Sequence, residues 1–93
     1  MIVKSLEMHL RLPGCRSLKE KRHVIKPLIQ RAKRNFGVSI CEVGDLDIWN
    51  ASTVGAAAVS DDALHAHQVL ESVLESFDEC AEIEILHHAI EQS

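Results

Sequence analysis

Lys19, Arg22, Lys26 and Lys33 follow one another at intervals of three, four and seven residues. On a helix these intervals keep side chains on one side, and a row of cations there can track a phosphate backbone. Arg34 closes the row, His23 and Gln30 stand within it, and Lys21 and Arg31 flank it. Arg16 sits just before the helix start. A helix start offers free backbone N–H groups and the positive end of the helix dipole, so Arg16 and Lys19 border a natural seat for one more anion. The chemistry expected of Arg16, Lys19, Arg22, Lys26, Lys33 and Arg34 is neutralisation of a polyanion, with RNA the expected class.

The charge distribution sharpens this. All ten Lys and Arg residues lie in the first 34 positions, against only Glu7 and Glu20, which gives that segment a formal charge of +8. The other 59 residues carry twelve acids and no base, hence −12. Such asymmetry within one small chain points to a polyanionic partner on one side. The competing reading is a solvated face whose charge is cancelled by the acidic second helix, at Glu71, Glu75, Asp78 and Glu79, or by the acidic patch of a second copy. Surface bridges of that kind are worth about 0–1 kcal/mol each.

Other residues of reactive type are placed less favourably. His65 and His67 are two apart on a helix and diverge by about 200°, while His87 and His88 are neighbours on a strand, so neither pair shares a metal. Asp61 and Asp62 read as helix-start charges. Cys15, Cys41 and Cys80 are odd in number and contain no CxxC, which argues against a disulfide framework or a zinc site and for reduced thiols in a cytoplasmic protein. No Ser-His-Asp or Cys-His arrangement is apparent. No cofactor, metal or catalytic residue is expected, and the chain is read as non-enzymatic.

The elements that position the cations follow from periodicity. Residues from about Ile2 to Leu12 alternate, with Ile2, Leu6, Met8, Leu10 and Leu12 on one face and Val3, Ser5, Glu7, His9 and Arg11 on the other, which is a strand with one buried face. Pro13-Gly14 ends it. Ser17 and Glu20 form a capping box, and Leu18, Ile25, Leu28, Ile29, Ala32 and Phe36 recur at helical spacing up to about Asn35, where Gly37 stops the helix. Pro27, on the solvent side, predicts a kink. Strands follow at Val38–Val43 and Thr53–Val59. A helix capped by Ser60 or Asp61 buries Leu64, Val69, Leu70, Val73, Leu74 and Phe77, and Ile83–Ile90 is the last strand. The order β-α-β-β-α-β predicts an α+β ferredoxin-like sandwich over residues 1–93. It is a four-stranded antiparallel sheet with the first and third strands central and both helices on one face.

The run from Leu10 to Arg22, LRLPGCRSLKEKR, resembles the signature of the YlxP-like family, a bacterial domain of unknown function (number 503). Glu42-Val43, Asp47, Trp49 and Val59-Ser60 are similar to its later landmarks, so the likeness spans nearly the whole chain. The resemblance implies a small ferredoxin-like protein with a ribosome- or RNA-associated role, since genes of this family commonly lie among those of translation and ribosome-maturation factors. It implies no established catalytic residue. Pro27 and the Gly44-Asp45 stretch before Trp49 depart from the pattern.

RNA-recognition motifs share this topology but stack bases on strand aromatics. Here Phe36, Trp49 and Phe77 are the only such residues, and the open face of the first strand offers no ring except the His9 imidazole. Binding is therefore expected to be electrostatic and shape-based, through the first helix. Acylphosphatases also share the fold, but the loop Leu12–Ser17 lacks their glycine-rich cradle. Regulatory ligand modules of the ACT type usually accompany a catalytic domain. Trp49 and Ile48, in the loop before the third strand, are assigned either to capping the core or to a partner or homodimer contact. No apolar run of about 18 residues and no signal peptide is seen, so no membrane partner is expected. The expectation is an accessory protein in the cytoplasm that binds RNA or a ribosomal subunit through its basic first helix. The alternative is a homo-oligomeric protein-interaction module without nucleic-acid binding.

Overall fold

A computed structural model describes residues 1–93. Its elements run β1 (Ile2–Arg11), α1 (Leu18–Phe36), β2 (Ser39–Gly44), β3 (Ala51–Ser60), α2 (Ala63–Asp78) and β4 (Glu84–Gln92). The sheet order is β2-β3-β1-β4, every neighbouring pair antiparallel. This is the expected ferredoxin-like sandwich, with β1 and β3 in the middle. β3 starts two residues before the expected Thr53 because it pairs along the full length of β1, from Arg11 opposite Ala51 to Ile2 opposite Ser60.

The strand alternation acts as it should. Leu6, Met8 and Leu10 of β1 are buried, and they pair with Ala56, Val54 and Ser52 of β3. Above them lie Ile25, Leu28 and Ala32 of α1 and Ala66, Leu70, Val73 and Phe77 of α2. Small Ala56 and Ala58 on the sheet leave room for larger side chains from the helices, and each large apolar group so buried contributes roughly 1.5–3 kcal/mol.

Local chemistry fixes the helix ends. The Glu20 N–H donates to the Ser17 hydroxyl at 3.1 Å, while the Glu20 carboxylate accepts from the backbone N–H of Arg16 instead of Ser17, one residue further out than a standard capping box. At the other end Gly37 adopts φ +64° and its N–H donates to the Lys33 carbonyl. The helix runs unbroken through Pro27. Both Pro27 and His23, whose carbonyl loses its donor there, are exposed.

For α2 the cap is Asp62, whose carboxylate accepts from Leu64 N–H at 2.9 Å; the Ser60 hydroxyl in turn accepts from Asp62 N–H. The expected cap at Ser60 or Asp61 is thus displaced by one to two residues. Leu64, expected in the buried stripe, is 63% exposed in the first turn, and Ala66 takes that place. No helix is long and apolar enough to cross a membrane.

Candidate nucleic-acid interface

The cations of α1 are where helical spacing placed them. Arg16, Lys19, Arg22, Lys26, Lys33 and Arg34 are all exposed, as is Arg31. From Lys19 to Lys33 the row spans about 21 Å at 1.5 Å per residue. A shallow groove along it is lined by Lys19, Arg22, His23, Lys26, Pro27 and Gln30. Beside that groove α1 lies against the acidic α2, yet no ion pair joins the two helices. The four pairs of the molecule are Glu7–His9, Arg11–Glu84, Lys21–Glu42 and His67–Glu71. All seven exposed cations on and just before α1 therefore lack a carboxylate within 4 Å. The acids Glu75 and Asp78 on α2, and Glu79 just after it, are likewise unpaired.

The helix start differs from the anion seat read in the sequence. The backbone N–H of Arg16 is held by the Glu20 carboxylate, so one of the chain's own anions borders the helix start. A cleft of about 810 Å³ between the β1–α1 and α2–β4 loops mixes Lys19 and His23 with Glu20 and Glu82. Arg16 retains only its guanidinium for a ligand. Burial chiefly, and Glu20 and Glu82 secondarily, raise the Cys15 thiol above its ordinary pKa, a shift away from the thiolate.

Lys21 is the residue that sequence reasoning misplaced. It does not flank the cationic row; it is 2% exposed and points the other way, under the β2–β3 loop. Its ammonium lies 2.8 Å from Glu42 Oε2 and donates to the carbonyls of Asp45 (2.9 Å), Ala51 (3.2 Å) and Leu46 (3.3 Å). Glu42 also accepts from the Ser52 hydroxyl at 2.7 Å. Every buried polar side-chain atom is satisfied. The signal was in the spacing: Leu18, Lys21, Ile25, Leu28 and Ala32 form one 3-4-3-4 stripe, and Glu42 shares strand parity with buried Ile40.

The loop so pinned does not cap the core. Leu46, Ile48 and Trp49 are 57%, 44% and 46% exposed. Asp45, at φ +58°, closes the turn by accepting from Ile48 N–H, and the Asn50 carbonyl accepts from Leu12 N–H.

The open sheet face offers little to RNA bases. His9 lies 3.2 Å from the Glu7 carboxylate through Nε2 and 3.4 Å from the Thr53 hydroxyl through Nδ1, and Thr53 donates to Asp45 at 3.3 Å. The His87 ring stands 5.7 Å from His9, tilted by 47°. Arg11 is held by Glu84 at 2.6 Å. The face around β1 is thus a self-paired polar network with two imidazoles as its only rings. Toward the β2 edge it becomes small and uncharged at Ser39, Cys41, Gly55 and Ala57, with Val43 leaning over Gly55, where a Cβ would lie 3.2 Å from a valine methyl.

Residues 3–90 match the family model described as a protein of unknown function, DUF503. The chain belongs to the DUF503 family. Its likeness to the uncharacterized protein YlxP of Bacillus subtilis (strain 168) agrees: 43% identity over 68 residues, covering 73% of this chain and 74% of the relative. Two designed proteins share the fold. One is a de novo ferredoxin-fold protein, LFR1 1, solved by NMR, with TM-score 0.64 and 11% identity over all of this chain and 84% of the other. The second is the de novo protein Foldit4, with TM-score 0.56 and 15% identity over 98% and 96% of the two chains. Both are far below the identity at which function transfers. Fold likeness assigns no activity to this DUF503 domain; only its own side chains can.

Proposed function

We propose that this DUF503 protein is a non-enzymatic accessory factor in the cytoplasm that binds RNA or a ribosomal particle through α1. One observation carries the reading: seven exposed Lys and Arg side chains on and just before a single helix, none paired with a carboxylate. Unpaired cations on a solvated helix repel one another, and a polyanion relieves that repulsion while releasing its own counterions. Lys19, Arg22, Lys26 and Lys33 contact phosphates along the row, with Arg34 at its end and the Arg16 side chain at its start. The acids of α2 border the site and discourage polyanions from lying across both helices. The sheet's open face, acidic at Glu7 and Glu91 and without a stacking ring, is turned away from the RNA.

Co-sedimentation with ribosomal subunits at low and high salt tests the reading. Wild type pellets with subunits at low salt and is released at high salt. A folded Lys19→Glu/Arg22→Glu/Lys26→Glu variant stays in the supernatant under both conditions. Equal sedimentation of the two proteins would remove α1 from the contact.

A second reading, a homo-oligomeric interaction module, is favoured by the small, uncharged strip of the open face beside the β2 edge strand. It predicts self-association that charge reversals on α1 leave intact.

A further inference from the structure

The β2–β3 loop combines two features that the fold itself does not require together. Asp45 to Asn50 are all exposed, and three of these six residues are Leu46, Ile48 and Trp49. Large apolar side chains clustered outside the core mark contact surfaces. The same loop is held with unusual thoroughness. The buried Lys21 ammonium binds the carbonyls of Asp45, Leu46 and Ala51, Asn50 accepts from Leu12 N–H, and Thr53 donates to the Asp45 carboxylate. A loop fixed before a partner arrives loses little further freedom on binding.

We propose that this loop is a docking knob for a protein, inserted into an apolar cleft rimmed by Lys or Arg. Charge decides the partner's class. Residues 42 to 50 hold Glu42, Asp45 and Asp47 and no base, and the cations beside them are already paired, Lys21 with Glu42 and Arg11 with Glu84. That surface repels phosphate and attracts cations. A second copy fits poorly. The groove along α1 has no hydrophobic lining. An apolar groove with a basic rim, Lys33 beside Ile40, Cys41 and Ala57, lies at the far end of β2 from the loop, and the other partly apolar grooves with a cation, beside Lys19 and Arg31, also hold Glu82 with Glu20 or Glu79. A copy docked at the first of these would offer a single cation, Lys33, against the loop's Glu42, Asp45 and Asp47. The inference deepens the reading of α1 as an RNA contact and rests on it: α1 takes the RNA of a ribonucleoprotein particle and the loop takes a basic protein of the same particle.

Trp49 is the only tryptophan of this chain, so 5-hydroxytryptophan incorporated there and excited to the red of the tryptophans of ribosomal proteins reports the loop. The probes are purified ribosomal subunits and the protein-free RNA extracted from them. With subunits, Trp49 emission shifts to the blue and acrylamide quenching falls; with bare RNA neither changes. A Leu46→Ser/Ile48→Ser variant binds bare RNA as wild type does and subunits about tenfold more weakly, as expected for loss of central apolar anchors. Both substitutions are at exposed positions, and circular dichroism confirms the fold. A Trp49 response to bare RNA overturns the proposal in favour of an RNA contact. A blue shift on concentrating the free protein overturns it in favour of a second copy. Sedimentation with subunits while Trp49 stays water-exposed overturns it and leaves the α1 reading standing. Absence of sedimentation overturns both.

Discussion

Replacing Lys21 by methionine should destabilise this domain more than replacing any other Lys or Arg. Methionine keeps the unbranched apolar stem and removes the ammonium. The Leu46 and Ala51 carbonyls then lose the ammonium, the Asp45 carbonyl keeps only the Ile48 N–H, and Glu42 keeps only the Ser52 hydroxyl. Removing one partner of a buried ion pair costs about 3–5 kcal/mol. Glu42 is still 20% exposed, so water recovers part of that loss and the expected value is near the lower end, about 3 kcal/mol. For a 93-residue domain this is a large share of a total stability of about 5–14 kcal/mol. It corresponds to a fall in Tm of roughly 12–24 °C. Arg22→Met, at the exposed neighbouring position, should stay within about 0.5 kcal/mol of wild type. Urea unfolding followed by circular dichroism gives the global value, and Trp49 emission follows the loop. Amide exchange of Ile48 and Leu12, whose N–H groups close and tether the loop, should accelerate in Lys21→Met beyond the global change. A loss below about 1 kcal/mol with unchanged loop exchange would refute the claim that the Lys21–Glu42 pair is what holds the loop.

Smaller effects are expected at single sites. Gly37→Ala should cost about 1 kcal/mol in urea unfolding; no atom lies within 4 Å of the added Cβ, so the cost is that of an αL backbone alone. Alkylation kinetics should rank Cys41 fastest and Cys15 slowest, since Cys41 is exposed and Cys15 is buried with a raised pKa. Because the folded state holds the Cys15 proton more tightly than the unfolded chain, that contribution is complete below the unfolded pKa of about 8.5 and is lost as pH rises through the folded value; Cys15→Ala should flatten the alkaline limb of the stability profile. Glu84→Gln, which breaks the exposed Arg11 pair between β1 and β4, should change stability by no more than about 1 kcal/mol in a thermal melt.

The architecture was legible because its signals were local and redundant. Alternation in β1, the Ser17 cap, Gly37 and the stripe on each helix each pointed to the same elements. Errors arose where two physical rules competed. Leu64 is apolar, but it stands two residues, about 200°, from Ala66 in the buried stripe Ala66, Leu70, Val73 and Phe77, and so faces out. Lys21 was read by charge as a solvent residue, although its spacing with Leu18, Ile25 and Leu28 assigned it to the buried face; only a carboxylate on a distant strand, Glu42, makes that burial tolerable. The cationic row itself was fully legible, being a matter of helical periodicity. Its lack of internal partners was not, because it depends on how far apart the α1 and α2 side chains stand. At the helix start, the contact of Glu20 with the Arg16 N–H was not legible either, because it depends on how the capping residues are turned.

The most direct test of the central claim is the salt dependence of RNA affinity. Fluorescence anisotropy with ribosomal RNA fragments, at monovalent salt between about 50 and 200 mM, gives log K against log salt. If α1 engages about four phosphates, the slope is roughly −3 to −4 for wild type. Each of Lys19→Gln, Arg22→Gln and Lys26→Gln should lower its magnitude by about 0.7–0.9. A flat salt dependence, or a slope unchanged by all three substitutions, would contradict an RNA contact through α1.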